Sequence, residues 1–568
     1  MITEIFGVLF MYVAVILLAV PLGKYIASVL DGKQTRFDFL LDPLDRFIHF
    51  LIGIKSDVKM DWQQELYALL WMNAVWFAMA MFILTNMGWL PFNPDHNPSM
   101  SPDLAFNTAI SFITNTNLQH YSGESGMSYL GQLTLMLWQF ISAGTGIAIC
   151  AVVIKSLKSD SNNEYTNFYT LLIRSCTRIL FPIAIVIAII LLSNGVPMTF
   201  EGRQAMVSLQ GDTVQVSTGP IAAMEAIKQI GTNGGGFFGS NSAHPFENPN
   251  YLTNMIETIS IFLIPMALLF ALGHMIRRKK LSWMIFGVMS IGFISLCIPS
   301  CINEMNGNKA FVKMRLEQST GSMEGKEIRF GAAASAYWAI NTTCTSNGSV
   351  NSMHDSMTPA TGLAALLGMM TNCFYGGVGV GFLNFYVFII LAVFISGLMV
   401  GRTPEFMGKK IEAKEMKIAM IVALLHPFLI LIATAISCYI YNQHPDAYAS
   451  WLNNPGYHGY TEILYEFTSS SANNGSGFEG LGDNTPFWNI ACGVIMLIAR
   501  YIPIIGPVAI AGLLTNKKSI PESEGTLRTD NATFGLMILA VIIIIAALSF
   551  FPALTLGPIS EYFSIQNL

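Results

Sequence analysis

Ten stretches of the 568-residue chain are apolar over a length that would cross a bilayer, which takes about 20 mostly apolar residues. They fall at 5–25, 66–87, 130–154, 171–192, 255–272, 281–299, 378–400, 418–441, 487–514 and 534–554. Each reads as a membrane-spanning helix. The first opens with Glu4, lacks a basic flank and runs too long for the apolar core of a cleaved signal, so it is expected to remain in the protein. Four of the connections carry a second apolar run too short to cross, at 103–113, 221–230, 331–340 and 460–467, each followed by Thr, Ser, Asn and Gly. Irregular backbone at membrane depth is tolerated only where it is buried in protein or lines a wet cavity. The pattern therefore predicts four helices that dip in and return as loops around one site.

A repeat supports that expectation. The short helices are followed by Thr114-Asn115-Thr116, Thr232-Asn233-Gly234, Ser346-Asn347-Gly348 and Asn473-Asn474-Gly475, whose central asparagines are separated by 118, 114 and 127 residues. One such triplet carries little information, whereas four at matching places between spans define a repeat. The expected fold is all-α and polytopic: ten transmembrane helices, with four tandem helix–pore-loop–helix repeats around a central pore and one extra helix at each end. The boundaries read as 1–60 for the first helix and its loop, 61–160, 161–280, 281–415 and 416–518 for the repeats, and 519–568 for the last helix.

Charge then orients the chain. Of the 30 Lys and Arg, 22 lie in alternate connections assigned to the cytoplasm and seven (Arg203, Lys228, Lys309, Lys313, Arg315, Lys326 and Arg329) lie opposite, with Arg500 inside a span. Basic residues stay on the cytoplasmic side, so both termini are expected outside. Only 11% of residues are charged, mean hydropathy is +0.51 and the net charge is −5. These figures exclude a soluble domain and leave a nucleic-acid partner no basic footprint.

The chemistry available to four such loops is cation coordination. Backbone carbonyls can replace the hydration shell of a potassium ion, and the C-terminal ends of the short helices would add negative partial charge. The triplets contain no carboxylate, which suits a weakly hydrated monovalent ion better than calcium or magnesium. For any single loop, Asn and Gly that merely turn the chain explain the composition equally well.

The strings TNTNLQHYSGE (114–124), GTNGGGFFGSNSAHPFENP (231–249), SMEGKE (322–327), MHDS (353–356), GRTPEFMGKK (401–410) and SANNGSGFEGL (471–481) resemble the potassium-binding, channel-like subunit of the bacterial Kdp potassium-transporting ATPase, in order and over nearly the whole chain. The resemblance implies a fold related to the Trk, Ktr and HKT transporters. It also implies ATP-driven potassium uptake across the bacterial inner membrane, with a P-type ATPase catalytic subunit (B), a C subunit and a small F subunit as partners, alongside membrane lipid. Its implied selectivity filter is Thr114, Asn115, Thr116 and Asn117, Thr232, Asn233 and Gly234, Ser346, Asn347 and Gly348, and Asn473, Asn474 and Gly475, with Gln119 at the mouth. The family pattern has cysteine where this chain has Asn347. Arg402, in the GRTPE string, and Arg500 match family arginines with expected roles in coupling or as a barrier. Arg500 is expected in the aqueous path below the filter, hindering leak; a structural arginine paired to carbonyls or a carboxylate is the alternative.

Other residues weigh less. Glu225 and Lys228 are spaced to pair on one helix face. Glu462 and Glu466 would either add negative potential at the mouth or form a solvated face. The Gly376–Gly381 run opens a span and follows no strand, so close packing or a flexible gate fits it better than a dinucleotide loop. The irregular stretch 354–375 is long enough for a broken helix that gates the pore. The eight cysteines read as core residues, and His120, His244 and His354, which follow filter loops, as residues that position them. No metal other than potassium is implied.

The chain lacks both a G-x-x-x-x-G-K-[ST] phosphate loop and the D-K-T-G-T string of P-type pumps, so no ATP site is expected here and hydrolysis must come from a partner. A stand-alone Trk/Ktr-like transporter driven by membrane potential remains the alternative, since the potential supplies about 2.3 kcal/mol per charge per 100 mV. The route by which an ion leaves the filter, through this chain or through the ATPase subunit, is not legible in the residues.

Overall fold

Short polar side chains set where the long helices begin. Asp61 and Gln64 form a reciprocal capping box, Asn250 and Thr253 another, and the side chains of Asn167, Thr485 and Asn531 each accept a backbone N–H of the first helical turn. Such caps satisfy donors that the first turn leaves open. The computed structural model describes residues 2–35, 38–53, 58–158, 167–401, 403–518 and 528–567.

Among the described residues, ten helices are long and apolar enough to cross a membrane: Thr3–Leu30, Trp62–Asn86, Tyr129–Lys158, Phe168–Ser193, Tyr251–Met275, Lys279–Lys313, Val380–Met399, Ala413–Gln443, Pro486–Thr515 and Ala532–Leu556. They coincide with the ten expected spans. Four shorter helices, Pro102–Ile113, Ile221–Ile230, Ala332–Cys344 and Tyr457–Ala472, lie between the second and third, fourth and fifth, sixth and seventh, and eighth and ninth spans. The span that follows each short helix is the inner one. The third, fifth, seventh and ninth spans have 83, 78, 67 and 61% of their apolar stretches buried, against 17–33% for the first, second, eighth and tenth. Small residues permit this: Gly144 and Gly146 of the third span leave no room for a Cβ against Cys176 and the Val378 carbonyl.

Two features go beyond the sequence reading, and a third gives form to an expectation. An amphipathic helix, Asp38–Ile52, exposes Phe39, Phe47, Phe50 and Leu51 while its aspartates converge on Arg178. Arg178 Nη1 donates to Asp38 at 2.5 Å, Nη2 to Asp42 at 2.6 Å, and Nε to Asp45 at 2.9 Å. Arg178 is presented by a π-helical turn, Ser175–Leu180, within the fourth span. Two strands, Gln204–Val207 and Thr213–Val216, pair antiparallel in the connection before the second short helix. The stretch 354–375, expected to be long enough for a broken helix, contains the helix Pro359–Thr371, which residues 372–379 separate from the span Val380–Met399.

The C-terminal helix, Pro558–Gln566, is tied to the fourth short helix through an imidazole. His458 pairs its Nδ1 with Glu561 at 2.8 Å and its Nε2 with Asp355, in the connection after the third short helix, at 2.9 Å. Burial disfavours the charged ring, but the two carboxylates outweigh it and push His458 up from 6.5 to about 10. Glu462 and Glu479 face the same cluster, and burial raises them to about 7 and about 8. Because the folded value of His458 is raised, the stabilisation of this clamp is complete below the ordinary histidine value and is lost as pH rises through about 10. Removing one carboxylate, Glu561→Gln, should cost about 1.5–3 kcal/mol at neutral pH, the usual worth of a charged hydrogen bond. Thermal unfolding of wild type and variant in detergent should differ at pH 7 and converge above pH ~10.5 as the imidazolium titrates. A difference that persists there would contradict the clamp.

Candidate ion-binding site

The four short helices end alike. Asn115, Thr232, Ser346 and Asn473 take left-handed φ values of 62°, 48°, 49° and 50°. The next amide in each loop then reaches back five residues: Thr116 to the Ser111 carbonyl (2.9 Å), Asn233 to Lys228 (3.0 Å), Asn347 to Thr342 (3.0 Å) and Asn474 to Ser469 (2.9 Å). Thr116, Asn233, Asn347 and Asn474 are therefore equivalent. This corrects the register of the first loop by one residue. Its triplet is Asn115-Thr116-Asn117, and Thr114 caps the helix, its hydroxyl returned to the Ile110 and Ser111 carbonyls. Asn117, with φ 57°, stands where the third and fourth loops have Gly348 (87°) and Gly475 (105°). Asparagine can do so because its short polar side chain tolerates left-handed backbone. Counting from the ends of the short helices, rather than matching asparagines, gives the right register.

The loops meet at one point. A Cβ on Gly475 would lie 2.1 Å from the Thr116 carbonyl oxygen, one on Gly348 2.2 Å from that of Asn474, and one on Gly234 3.1 and 3.2 Å from the Cα atoms of Gly475 and Gly348. Most of the polar side chains bind protein, whereas that of Asn117 makes no hydrogen bond among the described residues. Asn115 Nδ2 donates to the carbonyls of Gly231 and Thr232, and its Oδ1 accepts Asn233 Nδ2 and Ser142 Oγ, both at 2.7 Å. Asn474 Nδ2 donates to the Thr342 carbonyl (2.8 Å), Asn473 Nδ2 to Thr116 Oγ1 (3.0 Å), and Asn347 Oδ1 accepts the Ser349 amide (2.7 Å). The backbone is left for other work. The carbonyls of Thr116, Asn233, Asn347 and Asn474 accept no hydrogen bond among the described residues, although all four residues are completely buried. Buried acceptors are seldom left unpaired. Four at equivalent positions, with four helix C-termini behind them, make a ring of negative potential suited to a dehydrated cation.

Above and below this ring the loops are braced. Gln119 and Gly236 exchange two hydrogen bonds, 3.0 and 2.9 Å, joining the first and second loops at the mouth. His120 lies between Asn489 (2.7 Å) and Glu466 (3.1 Å). Although burial opposes its charged form, Asp483 and Glu466 hold its proton well above the ordinary range. His354 meets Tyr465 Oη at 2.9 Å, and His244 stacks on Phe238, so these histidines position loops. Glu462 and Glu466 are both buried, which rules out a solvated face. Glu225 and Lys228 pair at 2.6 Å as their spacing predicts.

On the opposite side, the break at 372–379 lies against the first residue of each of two triplets. The Val378 amide donates to Thr232 Oγ1 (2.9 Å), and Ser346 Oγ to Asn372 Oδ1 (2.8 Å). Gly379, with φ 80°, leaves only 2.0 Å between a notional Cβ and the Gly146 carbonyl oxygen. Arg500 Nη2 comes within 3.8 Å of the notional Cβ of Gly146. Arg500 is buried in the ninth span, and among the described residues its guanidinium has no hydrogen-bond or ion-pair partner, contrary to the structural alternative. Arg402 lies outside the described residues. The structure also gathers side chains that sequence spacing did not: His120 with Glu466 and Cys492, and Asp355 with His458 and Glu462.

A family model described as potassium-transporting ATPase A subunit matches residues 9–563. The chain is 58% identical to a protein of Flavobacterium psychrophilum and 56% identical to one of Bacteroides fragilis, over 99% of this chain and the whole of each relative. A protein of Geobacillus kaustophilus is 46% identical over 98% of both chains. All three carry the name potassium-transporting ATPase potassium-binding subunit. The crystal structure of the potassium transporter TrkH from Vibrio parahaemolyticus resembles this one in fold, with a TM-score of 0.51 at 14% identity, covering 89% of this chain and 96% of that one. The match runs through every repeat and every loop of the site, and the chain belongs to the family of potassium-transporting ATPase A subunits.

Proposed function

We propose that this chain is the potassium-binding and translocating subunit of an ATP-driven uptake complex, and that the ion is held by the carbonyls of Thr116, Asn233, Asn347 and Asn474. The observation that carries this reading is the set of four equivalent buried carbonyls that have no donor among the described residues. Asn115, Asn117, Thr232, Gly234, Ser346, Gly348, Asn473 and Gly475 shape that ring, and Gln119 braces its mouth. The repeats at 61–160, 161–280, 281–415 and 416–518 each contribute one loop. Neutral ligands suit a monovalent ion whose dehydration cost is modest.

The partners follow from family membership: a P-type catalytic subunit that hydrolyses ATP, with C and F subunits, in the bacterial inner membrane. The distribution of basic residues supports both termini lying outside. Ion movement straight toward the cytoplasm is opposed twice, by the backbone of 376–379 beneath the loops and by the charge of Arg500, which has no partner among the described residues. A buried guanidinium with no protein partner among the described residues is stabilised by water, which supports the reading of Arg500 as lying in a hydrated path.

Gly475→Ala puts a methyl group against the Thr116 carbonyl. The expected result is a rise of about 10- to 100-fold in the potassium concentration that half-saturates ATPase activity of the reconstituted complex, equivalent to about 1.4–2.8 kcal/mol. Unchanged half-saturation in an assembled complex would remove the ring from the mechanism. Arg500→Gln should raise ATP-independent rubidium flux through the reconstituted complex about tenfold, a loss of about 1.4 kcal/mol of barrier. Wild-type leak with normal assembly would exclude Arg500 as the barrier.

A further inference from the structure

The four loops are not equal at their third position. The carbonyls of Asn117, Gly348 and Gly475 accept no hydrogen bond among the described residues, and all three residues have positive φ. Gly234 has neither property. Its φ is not positive, and its carbonyl accepts the side-chain amide of Asn241 at 2.6 Å. Asn241 itself has a left-handed backbone, φ 55°, and its side-chain oxygen accepts a hydrogen bond from a buried ammonium group. Lys228 Nζ lies 2.8 Å from Asn241 Oδ1, 2.8 Å from Ser242 Oγ, 2.6 Å from Glu225 and 2.7 Å from Glu247. Lys228 is completely buried, as are Glu247 and Ser242. The same amide oxygen accepts Ser349 Oγ at 3.1 Å, and the Ser349 amide donates to Asn347 Oδ1 at 2.7 Å, so the arrangement continues into the third loop.

We infer that Lys228 and Asn241 form a latch that sets the orientation of the Gly234 carbonyl, and that they act as positioning residues for potassium affinity and selectivity. The inference rests on the reading of the loops as a potassium filter and adds an asymmetric element to it. The chemistry is directional. An amide N–H committed to the Gly234 oxygen fixes the peptide plane of the second loop and occupies one of that carbonyl's two lone pairs. The ammonium group, by binding Asn241 Oδ1, determines which end of the amide faces Gly234: Nδ2 must point to the filter because Oδ1 is taken by Lys228. The carboxylates of Glu225 and Glu247 keep the ammonium in place and offset its charge, so it can stand close to a cation site without repelling the ion. Ion discrimination requires ligands held before the ion arrives, and a carbonyl free to swing would accept ions of several radii.

The decisive variant is Asn241→Asp, which keeps the side-chain shape and an oxygen for Lys228 but replaces the donor to Gly234 with a second oxygen. In the reconstituted complex, potassium- and rubidium-stimulated ATPase activity should show half-saturating potassium raised about tenfold, with the ratio of rubidium to potassium half-saturation moved toward one. Lys228→Met should move both readouts in the same direction. Where either variant fails to assemble, Asn241→Gly suits the left-handed backbone, removes the donor without adding charge, and should give the same two shifts. A lowered maximal rate with half-saturation and the ion ratio unmoved would mean that the network only stabilises the fold, and would overturn the latch. Gly348→Asp, measured alongside, separates the two claims. If it weakens potassium binding while the Asn241 variants do not, the latch fails and the filter stands. If it leaves binding unchanged, the filter reading fails.

Discussion

The constraint on which this molecule turns is that four buried backbone carbonyls, at equivalent ends of four short helices, have no proton donor among the described residues. An unpaired buried acceptor costs about 1–3 kcal/mol, so a fold does not carry four at one place without a partner for them. Peptide donors would be the usual partners, but the loops approach so closely that glycines at 348 and 475 leave no space for a Cβ, still less for a donor. In the proposed function a small cation is that partner, because it fits a point ringed by carbonyls. The surrounding architecture then follows: inner helices packed through small residues, the amides of Asn115, Asn233, Asn473 and Asn474 turned back into the scaffold, and long helices capped by their own polar residues.

Placing the four loops on one chain frees each to differ. The first loop uses asparagine where others use glycine, and the second gives one carbonyl to a side-chain amide. Formal charge is kept off the ring but close to it. Lys228 is neutralised by neighbouring carboxylates behind the second loop, and His120 by Glu466 above the first. Arg500 has no such neutralising partner among the described residues, and its guanidinium lies near Gly146, whose notional Cβ also meets the Val378 carbonyl of the break at 372–379. In the proposed function neutral dipoles bind the ion, paired charges brace the loops, and Arg500, buried and without a partner among the described residues, opposes passage.

The ten spans and four short helices were legible because length and hydropathy alone determine whether a segment crosses a bilayer. Even the second short helix, Ile221–Ile230, has its expected ends. What the sequence concealed depended on geometry. Matching Asn115 to Asn233 set the first loop one residue out of register, since left-handed backbone, not residue identity, is what repeats. A broken helix was expected within 354–375, but the bounds of Pro359–Thr371 were hidden in a stretch rich in Gly, Met and Thr, whose helical periodicity has no polar face to mark it. The helix Asp38–Ile52 was too short to be counted as a span, and its aspartates have meaning only beside Arg178, more than 130 residues away. The pairing of Glu225 with Lys228 was readable from their spacing, whereas the addition of Glu247 and Asn241 required the loop to fold back.

Anomalous diffraction from crystals of the complex grown in rubidium or thallium would test the account most directly, because it locates the ion without perturbing the protein. The account predicts a peak within coordination distance of the carbonyl oxygens of Thr116, Asn233, Asn347 and Asn474. A loop centre without a peak, with the ion found instead among carboxylates such as Asp355 and Glu462, would contradict it.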